Sequence, residues 1–131
     1  RTIALAAWDE VCGIAESGEI RCHNFDSMKT IPLQNSENAV AVRGAGGLSA
    51  CGKNGTGLWQ CWNVLPPLLE VAGSTPVPIR TEMPIDDLVI GGFHVCALRA
   101  DRSVACADAS KIGLMPLPEY AELNVVPGLP L

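Results

Sequence analysis

Six cysteines stand at positions 12, 22, 51, 61, 96 and 106, three pairs that each read C-x9-C. A thiol can ligate a metal, remain free, or oxidise to a cystine, and spacing helps to separate these chemistries. Zinc sites use short C-x2–4-C knuckles, usually with histidine. Neither His23 nor His94 lies at such a spacing, so no metal ligand set is read. Free buried thiols explain neither the even count nor the constant spacing. The pattern is therefore read as the disulfides Cys12–Cys22, Cys51–Cys61 and Cys96–Cys106. Each small loop stabilises by roughly 2–3 kcal/mol, and the set implies an oxidising compartment.

The spacing also dictates the element that carries each pair. If two cysteines separated by nine residues face each other across a β-hairpin, the chain pairs symmetrically and leaves a three-residue loop. The loops are Glu16-Ser17-Gly18, Gly55-Thr56-Gly57 and Ala100-Asp101-Arg102. Such loops favour a type I turn followed by a left-handed residue, usually glycine. Gly18 and Gly57 occupy that third position; Arg102 departs from it, at a cost of about 1 kcal/mol. Alternation then assigns faces. One face carries the cysteines with Ile14 and Ile20, Lys53 and Trp59, and Leu98 and Val104. The opposite face carries Gly13, Ala15, Glu19 and Arg21, then Gly52, Asn54 and Gln60, then Arg99 and Ser103. The expectation is apolar inside and polar outside, with Lys53 the exception.

The hairpins belong to an internal repeat. First-cysteine periods are 39 and 45 residues, with the added length in the proline-rich stretch after Trp62. Small apolar segments precede each first cysteine, and Ile31-Pro32-Leu33 and Val77-Pro78-Ile79 lie upstream of the second and third. The chain reads as one repeat domain over 1–131, with repeat 1 at about 1–28, repeat 2 at about 29–70, repeat 3 at about 71–112 and the start of a fourth at about 113–131. Met115-Pro116-Leu117-Pro118 and Leu123-Asn124-Val125-Val126 suggest that fourth copy.

Other residues capable of chemistry fail the test of context. His94 stands alone and reads as a packing side chain; His23 has no partner. Asp86, Asp87 and Glu16 are turn and loop carboxylates, not a matched acid–base pair. Ser17, Ser49 and Ser103 lack a nucleophile elbow. Gly44, Gly46 and Gly47 precede no helix that would offer a phosphate its N-terminus. Trp59 faces inward by alternation, and Trp62, although placed where a rim could fall, is read as packing too. Asn54-Gly55-Thr56 is an N-glycosylation sequon beside a turn, so Asn54 is the modification candidate in a eukaryotic secretory host. No enzymatic activity and no cofactor are expected.

Composition narrows the partners. The 131 residues are 48% hydrophobic and 18% charged, with a net charge of −5 and a mean hydropathy of +0.25. Scattered basic residues in an acidic chain argue against nucleic acid. Prolines interrupt every apolar stretch before the roughly 18 residues of a membrane helix, so no membrane insertion is expected. An apolar surface of this kind points to protein contact.

The third copy resembles a regulator-of-chromosome-condensation repeat, a pattern of P-x-P, a small apolar strand, then G-x-x-H-x-C/A-A-L and D-G. The P-x-P element is Pro76-Val77-Pro78, and Gly91, His94, Cys96, Ala97, Leu98 and Asp101 match position by position. In the second copy Gly46, Cys51, Gly57, Cys61 and Trp62 match, and in the first Cys12, Ile14, Gly18 and Cys22 do. The His94 position holds Glu10 and Ser49 in the other copies, and the Gly91 position holds Ala7 in the first. The short, cysteine-paired form is similar to the extracellular repeats of crinkly-type receptor kinases and of secreted relatives of the β-lactamase inhibitory protein type. That resemblance implies an all-β fold of propeller-type blades used for protein–protein contact, without implying nucleotide exchange.

The reading is thus a structural or adhesive module of an extracellular or cell-surface assembly, reached through the secretory pathway. A recognition module, either a receptor ectodomain fragment or a secreted protein inhibitor, is the alternative. Three blades cannot close a ring, since propellers use four to eight. The chain is therefore expected to be an incomplete ring, either part of a longer repeat protein or a protomer of an oligomer or filament. Its protein partner is then further repeats or further copies, covering Ile3, Leu5, Val125 and Val126. Intact mass after alkylation is expected to show no free thiol, and peptide mapping to join 12 to 22, 51 to 61 and 96 to 106. A Cys22–Cys51 link would overturn the hairpin register.

Overall fold

The computed structural model describes residues 3–7, 10–44, 49–63, 76–90, 94–108 and 121–130, with side chains omitted at 3–7, 49, 63, 108, 121 and 129–130. Everything described is strand or turn. Three sheets follow one another along the chain. The first blade runs in the order β1 (Ile3–Ala7), β2 (Glu10–Ile14), β3 (Ile20–Asn24), β4 (Lys29–Pro32). The second runs β5 (Ala39–Gly44), β6 (Ser49–Asn54), β7 (Trp59–Asn63), β8 (Val77–Arg80), and β12 (Ala121–Glu122) adds to β8 in parallel. In the third, β9 (Ile85–Ile90), β10 (His94–Arg99) and β11 (Ser103–Asp108) are followed at the outer edge by β13 (Asn124–Pro130). All other pairings are antiparallel. This is an all-β, propeller-type arrangement of blades.

The central hairpins have the register that the spacing dictates. Cys12 pairs with Cys22, Cys51 with Cys61 and Cys96 with Cys106, and each pair is joined by a disulfide. Their Cα atoms lie 4.0, 4.0 and 4.1 Å apart, the close approach of non-hydrogen-bonded sites in antiparallel sheets. In the first turn the Ala15 amide donates to Glu19 O and the Gly18 amide to Ala15 O, both at 2.9 Å. In the second, Asn54 N reaches Leu58 O and Gly57 N reaches Asn54 O, both at 3.0 Å. Gly18 and Gly57 sit at φ +92°, and Arg102 is held at +73°. Asp101 secures that third turn: its Oδ1 accepts from the Ser103 hydroxyl and, at 2.9 Å, from the Ser103 amide. Those bonds, helped by the Arg99 charge, hold the Asp101 carboxyl below the usual carboxylate range. Its contribution is present above the ordinary aspartate pKa and lost as pH falls through the lowered value.

The expectation of one apolar face and one polar face is corrected by the stacking of the blades. The cysteine face of blade one (Cys12, Ile14, Ile20, Cys22) packs on the opposite face of blade two through Val42, Ala50 and Trp62. The cysteine face of blade two (Cys51, Trp59, Cys61) packs with Val77 and Ile79 against Leu88, Val95, Ala97, Ala105 and Ala107 of blade three. The middle blade is therefore buried on both sides. Gly52, assigned outward by alternation, is buried because Ile20 enters beside it: a Cβ there would lie 2.4 Å from Ile20 Cδ1 and 3.3 Å from the Trp62 ring. Arg99, also assigned outward, is 7% exposed. Its Nε donates to Ser103 Oγ at 2.8 Å and its Nη1 to Thr81 Oγ1 at 3.3 Å, which satisfies a buried guanidinium.

Two segments pair with the hairpin that precedes them. Pro32 and Pro78 belong to β4 and β8, the strands that pair with β3 and β7 on the outer side of the preceding hairpin. Each P-x-P element thus finishes one blade before the next begins. The segment 124–130 likewise pairs with β11, with Val125 opposite Ala105. It forms the outer strand of blade three, where the edge of β11 offers it a ladder of hydrogen-bonding groups. Residues 115–118 lie outside the described residues.

Two stability measurements check this packing. Arg102→Gly is expected to raise the free energy of unfolding by about 1 kcal/mol, through relief of the left-handed strain. Gly52→Ala is expected to cost about 1–3 kcal/mol by overpacking. Combined with Ile20→Val, which removes the offending Cδ1, it should cost less than the sum of the two single changes. Strict additivity in denaturant titrations would show that the two side chains do not meet.

Candidate protein-interaction face

Blade three presents the same cysteine-bearing face as the other two, but among the described residues no sheet covers it. Cys96, Leu98 and Cys106 are half-buried there, and Val89 is 61% exposed. Asp87, Val89, Cys96, Ala97, Leu98 and Val104 line a shallow depression of about 240 Å³. The hairpin positions correspond between blades: Leu98 stands where blade one has Ile14, and Val104 where it has Ile20. In blade one both are buried by blade two; in blade three Val104 is buried too, and Leu98 is half-buried. Strand β9 contributes Val89 opposite Cys96 and Asp87 opposite Leu98, so the open face continues across the sheet. Asp87 also closes its rim, accepting from Leu88 N at 2.8 Å and pairing with Arg43 of blade two at 3.2 Å. That pair is largely exposed, so its Coulomb energy is small.

His94, read as a packing residue, is exposed. It lies on the cysteine side of β10, two residues before Cys96, and so falls on the uncovered face. The same repeat position in blade one is Glu10, which is buried and accepts from Asn24 Nδ2 at 3.2 Å. That buried polar pair was missed in the sequence, because an isolated glutamate near a strand start reads as solvated. His23 is bonded to the Thr30 hydroxyl at 2.7 Å and stacks edgewise on Phe25 at 4.9 Å. Trp62 is buried at the first junction, its indole donating to Gln34 O at 2.8 Å. Trp59 is buried at the second, with the Arg43 guanidinium 6.0 Å from its ring.

Crossover 33–38 closes over the first junction. Ser36 turns inward, where its Oγ accepts from Ile20 N at 2.9 Å and donates to Leu33 O at 2.8 Å, and only about 10 Å³ remains beside it. At the second junction Glu82 stands in the Ser36 position and is exposed, leaving an open depression of about 290 Å³ beside Trp59. Asn54 is half-buried at the second hairpin turn. Its Oδ1 accepts from Thr56 N at 3.0 Å, Thr56 Oγ1 at 2.6 Å and Leu58 N at 3.1 Å. The amide nitrogen that a glycan would occupy takes no part in those bonds. Among the described residues no group of three or more His, Cys, Asp or Glu side chains could hold a metal. No described helix is long and apolar enough to cross a membrane.

No protein-family model matches the chain, and no curated protein does. Solved structures do. The chain is similar to Prp20p from Saccharomyces cerevisiae, with 11% identity over 98% of this chain and 39% of that one, at a TM-score of 0.68. It is also similar to human WBSCR16, with 18% identity over 97% of this chain and 37% of that one, at 0.63. The CRINKLY WD40 ectodomain of the Arabidopsis thaliana receptor kinase ACR4 aligns at 25% identity over 95% of this chain and 40% of that one, at 0.56. The chain thus has the fold of the propeller-repeat superfamily and spans about two fifths of the length of these solved chains.

An equivalent pair of substitutions tests whether the face of blade three is open. Ile14→Asp buries a carboxylate between blades and is expected to cost at least about 3 kcal/mol. Leu98→Asp, at the same repeat position, is expected to cost less than about 1 kcal/mol. Equal losses in chemical denaturation would mean that the face is covered.

Proposed function

We propose that the protein is a non-enzymatic interaction module of an extracellular or cell-surface assembly, structural or adhesive in role, and that the open face of blade three is where it meets a protein. One observation carries this reading: a face that the fold buries twice, in blades one and two, has no sheet over it in blade three among the described residues, with Val89 exposed and Leu98 half-buried there. Exposed apolar sheet of this kind marks a protein contact. The three disulfides support an oxidising compartment and thus the secretory route. The structurally similar ACR4 segment is an ectodomain, which supports a cell-surface setting for the cysteine-paired form. Prp20p, which has a similar fold, binds Gsp1p and histones, an instance of this fold in protein recognition.

A second reading, a recognition module working through blade loops, is favoured by the tip of the β3–β4 hairpin. There Phe25 and Met28 are 58% and 69% exposed, with Met28 in the left-handed region at φ +58°.

A photo-crosslinking residue at position 89, in the chain produced by its native host, is expected to form protein adducts. One at position 25 should form few. Adducts at 25 alone would favour the loop reading, and none at either position would overturn both. In a eukaryotic secretory host Asn54 is expected to carry mass removable by an amidase, and an unmodified Asn54 there would remove the sequon from the argument.

A further inference from the structure

We infer that Asn54-Gly55 is a latent deamidation site, which the closed second hairpin holds inert and which reacts when that hairpin opens. The chemistry needs only this dipeptide and water. The Gly55 backbone nitrogen, once its proton is lost to base, attacks Asn54 Cγ. The new C–N bond closes a succinimide, and Nδ2 leaves as ammonia. Water then opens the ring at one carbonyl or the other, giving aspartate or isoaspartate. Glycine after asparagine suits the attack because no Cβ crowds the nitrogen, and Asn54 is the only asparagine in the sequence that glycine follows. The fold does not require that glycine. Its φ is not positive, and a Cβ there would stand 3.9 Å from Asn38 O, an ordinary contact.

In the closed hairpin both reacting groups are held. The Gly55 amide donates to Asn38 O at 2.9 Å, so the nucleophile keeps its proton against a carbonyl that cannot remove it. That acceptor is itself fixed: Ala39 N donates to Gly18 O at 2.9 Å, and Asn38 is held at φ +59°. Asn54 Oδ1 accepts from Thr56 N, Thr56 Oγ1 and Leu58 N. Donors on Oδ1 draw electrons from Cγ and taken alone favour attack. Geometry outweighs them, because ring closure swings Cγ onto the Gly55 nitrogen. That movement breaks the bond to Asn38 and takes Oδ1 away from donors up to four residues ahead. Reaction therefore waits for the hairpin to open, and its rate follows the population of the open state. The two products differ in what they do to the fold. The side-chain bonds described for Asn54 all end on Oδ1, so an aspartate can keep them. Isoaspartate routes the main chain through Cβ and lengthens it between Cys51 and Cys61, which disturbs the register that places Trp59 and Cys61 in the core. Position 54 thus keeps a chemical record of time spent with the second hairpin open.

The test uses the oxidised chain made in a bacterial periplasm, where Asn54 carries no glycan, beside the same chain reduced, alkylated and unfolded in denaturant. Both are held at mildly alkaline pH, and peptide mapping follows the mass and the isoaspartate content of position 54. The unfolded chain is expected to convert Asn54, and the folded chain to do so at least about tenfold more slowly, as reaction from an open minority state requires. Thr56→Val removes one donor from Oδ1 and is expected to speed conversion in the folded chain while leaving the unfolded rate unchanged. Gly55→Ala is expected to fold as the wild type does and to slow conversion in the unfolded chain, since its Cβ crowds the attacking nitrogen. Asn54→Asp is expected to refold with the wild-type circular-dichroism spectrum, and the purified isoaspartate product to fail to do so. Equal rates in the folded and unfolded chains, or no conversion in the unfolded chain, would overturn the inference. A Thr56→Val chain that converts more slowly when folded would show that the turn promotes the reaction and would overturn it as well.

Discussion

The register of the central hairpins governs everything else in this fold. Strand side chains alternate strictly, so a slip of one residue would move every buried side chain to the opposite face. Two devices hold the register together: a three-residue turn with a left-handed third residue, and a cystine four residues further along each strand at a closely spaced pair. They constrain different parts of the ladder and agree on one pairing. That agreement lets blade three tolerate Arg102 where the other blades use glycine, since the Asp101 and Ser103 bonds and the Cys96–Cys106 link hold the turn in place.

With the register set, the faces are set, and stacking becomes a matter of shape. The cysteine faces carry branched or aromatic residues, and the surfaces that receive them set small residues, Ala50 and Gly52 at the first junction and Ala97, Ala105 and Ala107 at the second, beside Val42, Trp62, Leu88 and Val95. Large residues meet small ones at each junction, which lets sheets approach closely without voids. Several polar groups caught between the blades are served locally, Arg99 by Ser103 and Thr81, Glu10 by Asn24, and the Trp62 indole by Gln34 O, whereas the buried Trp59 indole nitrogen has no hydrogen-bond partner. The repeat position shared by Glu10 and His94 shows how far context decides a residue's role. The first is buried and bonded under a neighbouring blade; the second stands in solvent because its face has no neighbour among the described residues.

This one-directional stacking also shapes the functional reading. On the proposed reading, the surface that meets a protein is the cysteine face that blades one and two bury within the chain. The β3–β4 tip, by contrast, exposes Phe25 and Met28 on a loop.

The sequence by itself determined the hairpins. Cysteine spacing, turn glycines and alternation are local signals, read within about eleven residues, and they specified the three pairings and the special conformation of Arg102. It also pointed to the repeat, and through the repeat to propeller-type blades. It did not determine which face of a blade is solvated, because alternation separates two faces without saying what lies against either. Only tertiary stacking decided that Gly52 and Arg99 are interior and that Cys96 and Leu98 are half-open. Nor did it assign the last strand: Leu123-Asn124-Val125-Val126 is apolar enough for either edge of a sheet, and the choice fell to the unpaired backbone of β11. Strand identity is a local property of the chain, whereas burial belongs to whatever sheet comes to rest against it.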